Sequence, residues 1–149
     1  MDLPSLAKIL AVVCCGLFSG ASLYVTLVEH PARMECGTQL AVTQFRPSYR
    51  RATIMQAALA MIGSVLAALV GIFYRQRGWL VAAAAFVSVV PYTLLVILPT
   101  NKQLLDSSLD QSSERARVLL VRWGYLHAAR TAVSLIAFVY LLYLTVAVK

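Results

Sequence analysis

Glu29, His30 and Arg33 stand at the end of one apolar run, and His127 and Arg130 stand three residues apart at the head of another. A carboxylate, two imidazoles and two guanidinium groups beside apolar segments are ingredients for proton transfer. A general base, either Glu29 or a histidine tuned by burial, would remove an acidic C–H or phenolic proton from an aromatic substrate. Arg130 or Arg33 would then stabilise the resulting enolate. Trp123, Tyr92 and Tyr24 would give flat apolar walls, and Asn101 and Arg50 complete the polar set.

Two other readings use the same groups. His30, His127 and Glu29 would suit a non-haem iron or copper ion with open positions, although no HxxxH or ExxH spacing lies on any one helix. Alternatively, Glu29 pairs with Arg130 or Arg33 and pins the first helix to the fourth, as buried ion pairs that fix register do. The histidines are then interfacial hydrogen-bonding groups.

Spacing places these residues on helix faces. Cys15, Ser19, Ser22, Thr26, Glu29 and Arg33 are three or four apart and form one polar stripe. Pro31 disfavours helical geometry at His30 and removes a donor, so the helix is expected to kink or stop there. Trp123, His127, Arg130 and Ser134 share a face in the same way.

The elements that must hold these faces are membrane helices. Of 149 residues, 60% are apolar and 13% charged, far from a soluble domain of this size. Four runs, about 6–28, 53–73, 79–98 and 128–148, each have roughly 20 residues, or ~30 Å as helix, the thickness of the hydrocarbon layer. The expected architecture is an all-α, integral membrane four-helix bundle, one domain over residues 1–149, with a loop and helix cap on one side. The first run remains apolar through Val28, past a normal signal cleavage point, and is read as a retained helix.

The formal charge of +7 lies at helix ends and in short loops, with no aromatic interleaving, so it marks membrane flanks and not a nucleic-acid surface. Cys14 and Cys15 are adjacent and Cys36 is alone, so no CxxC redox or zinc motif exists and the first two are packing residues.

Within this frame Gly16 and Gly20 form a GxxxG for packing inside the bundle. Met34 to Phe45 is expected as a short interfacial helix ended by Pro47, with Ser48 capping helix two. Ala60, Gly63, Ala67 and Gly71 give helix two a small-residue edge. Trp79 marks the membrane interface, and Pro91 kinks helix three. With Ser112 or Ser113 as cap, helix four runs from Glu114 to Val148, its first turns projecting beyond the bilayer. Loops one and three share a side, so both histidines meet at one end. Positive-inside counting puts that end in the cytoplasm of a multi-pass protein of the cell membrane.

The segments LYVTLVEHPAR (Leu23 to Arg33), P-x-Y-x-R-A-T (Pro47 to Thr53), ILPTNKQL (Ile97 to Leu104) and RWGYLHAARTAVSLIAF (Arg122 to Phe138) together resemble the anthrone-oxygenase-like family of small four-helix membrane proteins. Fungal members are taken to oxidise an anthrone to an anthraquinone with molecular oxygen and no known organic cofactor. The resemblance implies that Glu29, His30, Asn101, Trp123, His127 and Arg130 are the functional positions. It implies an oxygenase or oxidase for a planar, acidic aromatic such as an anthrone, phenol or quinol. The expected partners are the lipid bilayer and an apolar aromatic small molecule, with a homo-oligomer compatible with the pattern. A non-catalytic membrane module that binds a metal ion, lipid or protein through the same polar mouth is the second expectation.

Overall fold

Each of the four apolar runs forms one long helix: α1 (Leu3–Glu35), α2 (Thr38–Phe73), α3 (Arg77–Leu105) and α4 (Glu114–Ala147). All four are long and apolar enough to cross a membrane. The computed structural model describes residues 3–147; the expected helix end at Val148 lies outside them. Among the described residues there is no strand, and the chain is an all-α four-helix bundle. Ile54, Leu95 and Ile136 are about 70% exposed or more, so the bundle turns large apolar side chains outward, as a lipid-facing surface must.

Two apolar clusters hold the bundle. At the α2–α3 hairpin end, Phe18, Ala60, Ala67, Trp79, Phe86 and Leu141 close together. The small-residue edge of α2 works as expected: a Cβ on Gly71 would meet Leu80 at 2.6 Å, and one on Gly63 would meet Phe86 at 2.9 Å. Gly16 similarly faces the Phe138 ring, whereas Gly20 is exposed with open space beside it, so the GxxxG is only half used. At the other end Val42, Phe45, Ile97, Leu104, Leu120 and Trp123 form the second cluster. Between them lies a polar layer of Ser19, Ser22, Gln56, His127, Thr131 and Ser134, all buried.

Two prolines are absorbed without ending their helices. In α1 the five residues Val25–Glu29 form a π turn, with the His30 N–H donating to the Val25 carbonyl. In α3 Thr93–Ile97 does the same, with Leu98 N–H to Thr93 O. Each π turn ends two residues before a proline, Pro31 or Pro99. The wider turn gives the ring room that a regular α turn lacks, and such insertions recur at functional sites. The kink or stop expected near Pro31 is therefore a π turn within a continuous helix.

Two other expectations change. No separate interfacial helix forms from Met34 to Phe45: α2 starts at Thr38, after a turn at Gly37 with φ +88°, and runs through Pro47. Ala41, Val42 and Phe45 ahead of the proline are buried against α3 and α4, which holds the helix straight across it. Ser48 is thus no cap. Trp79, near the start of α3, is 1% exposed and packed in the core with Lys8 5.9 Å over its ring. By contrast, α3 breaks at Ser88, three residues before Pro91, and Ser113 caps α4 by accepting the Ala116 N–H at 3.2 Å.

Candidate functional site

The site is built on α4, whose inward face carries Trp123, His127, Arg130 and Thr131 through the polar layer. Thr26, on the π turn of α1, donates its hydroxyl to the Ser22 carbonyl at 2.9 Å, a back-bond available to a mid-helix threonine. Its oxygen is therefore free to accept, and it lies 2.9 Å from His127 Nδ1. On the other side of the ring, Nε2 is 2.8 Å from Arg130 Nη2. A guanidinium only donates, so Nε2 must present its lone pair and the ring proton sits on Nδ1, held by Thr26. Thr131 closes the arrangement by donating to the His127 carbonyl at 2.9 Å. The imidazole is neutral, of fixed tautomer and fixed orientation.

Arg130 is held from several sides but has no counter-ion. Nη2 donates to Gln56 Oε1 at 2.7 Å, Nη1 reaches Thr93 Oγ1 at 3.5 Å, and the guanidinium lies 5.4 Å over the Phe18 ring. Among the described residues the only ion pairs are Glu29–Arg33 and Glu114–Arg117. A cation enclosed without a carboxylate is costly unless an anion joins it.

His127 and Arg130 face a cavity of about 170 Å³ that is overwhelmingly apolar. Phe18, Ala60, Val89 and Val90 line one part of it; Arg33, Ser48, Asn101 and Trp123 line another. Trp123 stacks on His127 with centroids 4.6 Å apart and stands edge-on to Phe45 at 5.2 Å. Four buried polar atoms of lining residues have no protein partner: the Nε of Arg33 and of Arg130 and the indole N–H of Trp123, all donors, and Oδ1 of Asn101, an acceptor. Buried polar groups are normally satisfied, so these atoms leave the cavity lining with hydrogen-bonding capacity for a polar ligand.

Glu29 does something else. Its Oε1 takes the Arg33 guanidinium, Gln44 Nε2 at 2.9 Å and Ser48 Oγ at 2.8 Å, tying α1 to the start of α2. Arg33, 6% exposed, is also stacked near Phe45 and Trp123. Of the two pairings expected for Glu29, that with Arg33 forms and that with Arg130 does not. His30 lies behind Trp123 with ring centroids 5.1 Å apart, and neither it nor Glu29 lines the cavity.

Other expected positions divide similarly. Both histidines do reach the same end, each with its ring beside Trp123. Asn101, Arg33, Trp123, His127 and Arg130 line the cavity. Tyr24 is 58% exposed and Arg50 is exposed, so both point away from it; Tyr92 is half-buried and donates to the Leu126 carbonyl at 3.4 Å. Gln56, Thr26, Phe45 and Ser48 belong to the site without having been singled out for it. A glutamine inside an apolar run is a signal, but at the start of helix two it passes for a boundary residue.

The metal triad finds no matching geometry. Glu29 is committed to three donors, His30 to its niche beside Trp123, and both ring nitrogens of His127 to Thr26 and Arg130. Among the described residues no three His, Cys, Asp or Glu side chains are grouped to hold a metal ion. Two guanidinium groups lining the same cavity further disfavour a cation there.

The anthrone oxygenase family profile matches residues 45–140. Anthrone oxygenase tpcL of Aspergillus fumigatus is 29% identical over 131 residues, covering 81% of each chain. Anthrone oxygenase gedH of Aspergillus terreus is 30% identical, covering 75% of this chain and 81% of its own. An anthrone oxygenase of Claviceps purpurea is 24% identical over 89% of this chain and 84% of its own. No solved structure matches. With a matching profile over residues 45–140, more than half of the chain, and a relative 30% identical over 75% of it, this protein belongs to the anthrone oxygenase family.

Proposed function

We propose that the protein is a membrane oxygenase for a planar, enolisable aromatic of the anthrone type, with His127 as the base and Arg130 as the oxyanion partner. The observation that carries this reading is the pair itself: a neutral imidazole lone pair 2.8 Å from a guanidinium that lacks a counter-ion. An acidic hydroxyl inserted between them gives its proton to Nε2 and leaves its oxygen as an anion on Arg130. Two positive groups and one negative group then replace a neutral base beside a lone cation, so proton transfer is favoured only with the anion in place.

The chemistry balances without a further reductant. The enol form of an anthrone loses its O–H proton to His127. The electron-rich ring carbon opposite that oxygen passes an electron to O2, and recombination forms a C–O bond. His127 returns its proton to the peroxide; loss of the remaining C–H proton with O–O cleavage releases water and leaves the second carbonyl. One O2 is consumed per anthrone, with one oxygen atom in the quinone and one in water. Phe18, Ala60, Val89 and Val90 surround the reacting carbon with apolar groups where O2 partitions well, and the Trp123 N–H and Asn101 Oδ1 orient flanking oxygen substituents.

The test is oxygen uptake by purified protein given 1,8-dihydroxyanthrone. We expect His127→Ala to lose about 10²- to 10⁴-fold in rate, the usual contribution of a positioned base. Uptake equal to the spontaneous rate in wild-type protein, or an undiminished rate in the variant, would overturn the assignment.

A further inference from the structure

The α2–α3 pair is closed at one end and open at the other. Near the hairpin the two helices are packed through Gly71 against Leu80 and Gly63 against Phe86. Beyond Ala60 and Val89 they part, and α3 makes few contacts with α2 once past Ser88. Three irregularities fall in that stretch of α3: the break at Ser88, Pro91, and the π turn Thr93–Ile97. The exposed part of the cavity lining lies at this gap. Its exposed lining residues are Thr53 and Ala57 of α2 and Leu94 of α3, with Val90 half-buried, whereas Phe18, Ile97, Asn101, Trp123 and His127 on the remaining walls are buried.

The end of the bundle that carries the α1–α2 and α3–α4 connections is fastened. Glu29 joins Arg33, Gln44 and Ser48 across α1 and α2, the Phe45 and Tyr49 rings stack at 5.7 Å, and Arg46 donates to the Asp106 carbonyl at 2.8 Å. The rim of the side opening is apolar: Ile54 is 76% and Leu95 75% exposed. Both helices at the gap are long and apolar enough to cross a membrane.

We infer that the cavity is loaded sideways from the lipid, through a slot between α2 and α3 bounded by Thr53, Ala57, Val90 and Leu94. The slot selects flat apolar molecules already dissolved in the bilayer and rejects charged, water-soluble ones. It deepens the proposed function by fixing the phase that supplies the substrate, and it rests on that reading only for the identity of the molecule.

The test reads access and not turnover, so a failed oxygenase assay would leave it standing. Ala60→Cys places a thiol in the cavity wall of protein in phosphatidylcholine vesicles, and labelling of that position is followed by peptide mass spectrometry. Val90→Cys serves if Ala60→Cys does not fold. A pyrenyl maleimide partitions into lipid by well over about tenfold, given ~25 cal/mol per Å² of apolar surface; a sulfonated maleimide stays in water. We expect the pyrenyl reagent to label at least about tenfold faster, and Leu94→Trp to remove most of that advantage by filling the slot. Equal labelling by the sulfonated reagent, no labelling by either, or no effect of Leu94→Trp would overturn the inference.

Discussion

His30 occupies the space that a side chain at position 124 would need: a Cβ on Gly124 would lie 2.6 Å from its Nε2 and 2.9 Å from its Cδ2. The imidazole of α1 is thus seated directly against the backbone of α4, one residue beyond Trp123, and packs beside the ring that stacks on His127. His30 supports the site without entering it.

Gly124→Ala should therefore destabilise the bundle, by about 1–3 kcal/mol if it behaves as an overpacked contact. His30→Ala in the same chain should recover part of that loss, because the two side chains compete for one space and their effects are coupled. Thermal midpoints in detergent for both single variants and the double variant measure the coupling. Strict additivity would show that the two residues do not touch.

On the proposed function Glu29 acts as a clamp, through its contacts with Arg33, Gln44 and Ser48. Glu29→Ala leaves Arg33, whose side chain is 5% exposed, without its partner, and breaking such a pair costs about 3–5 kcal/mol. Glu29→Gln keeps one acceptor for Gln44 and Ser48 and should be milder. Where Glu29→Gln remains folded, oxygen uptake per folded molecule should stay near wild type. A loss in that variant as large as that of His127→Ala would make Glu29 a base instead.

Much of this was legible in the chain. Four spans follow from apolar length, and the shared face of Trp123, His127 and Arg130 follows from helical spacing, because α4 is regular throughout the site. Where helices depart from regularity, spacing rules lose their hold. The π turn in α1 shifts Glu29 toward Gln44 and Ser48 of α2, and His30 toward Gly124 of α4, so a contiguous E-H-P motif divides into a clamp and a wedge. Pro47 reads locally as a helix end, yet tertiary burial of Val42 and Phe45 carries α2 across it. Tyr24 reads as lining because it is an aromatic on the helix that carries the polar stripe, but it faces outward.

Gln56 is a positioning residue for Arg130. Removing a hydrogen bond to a charged group costs about 1.5–3 kcal/mol, so Gln56→Ala should reduce kcat/KM by roughly 10- to 100-fold. Gln56→Glu supplies a carboxylate at the same place and would neutralise the guanidinium. It should bind the anionic form of the substrate less well than Gln56→Ala, and so raise KM further. A Gln56→Glu variant as active as wild type would mean that the missing counter-ion of Arg130 is not needed for the substrate.

The central claim is that the cavity itself turns a neutral aromatic into its anion before oxygen arrives. It is tested most directly by mixing 1,8-dihydroxyanthrone with the protein under strict anaerobic conditions and recording the ultraviolet–visible spectrum. The account predicts the absorbance of the deprotonated anthrone in amounts that follow the protein concentration, its absence with His127→Ala, and its conversion to the anthraquinone spectrum when oxygen is admitted. A spectrum that stays that of the neutral anthrone, or an anion that forms equally well with His127→Ala, would contradict it.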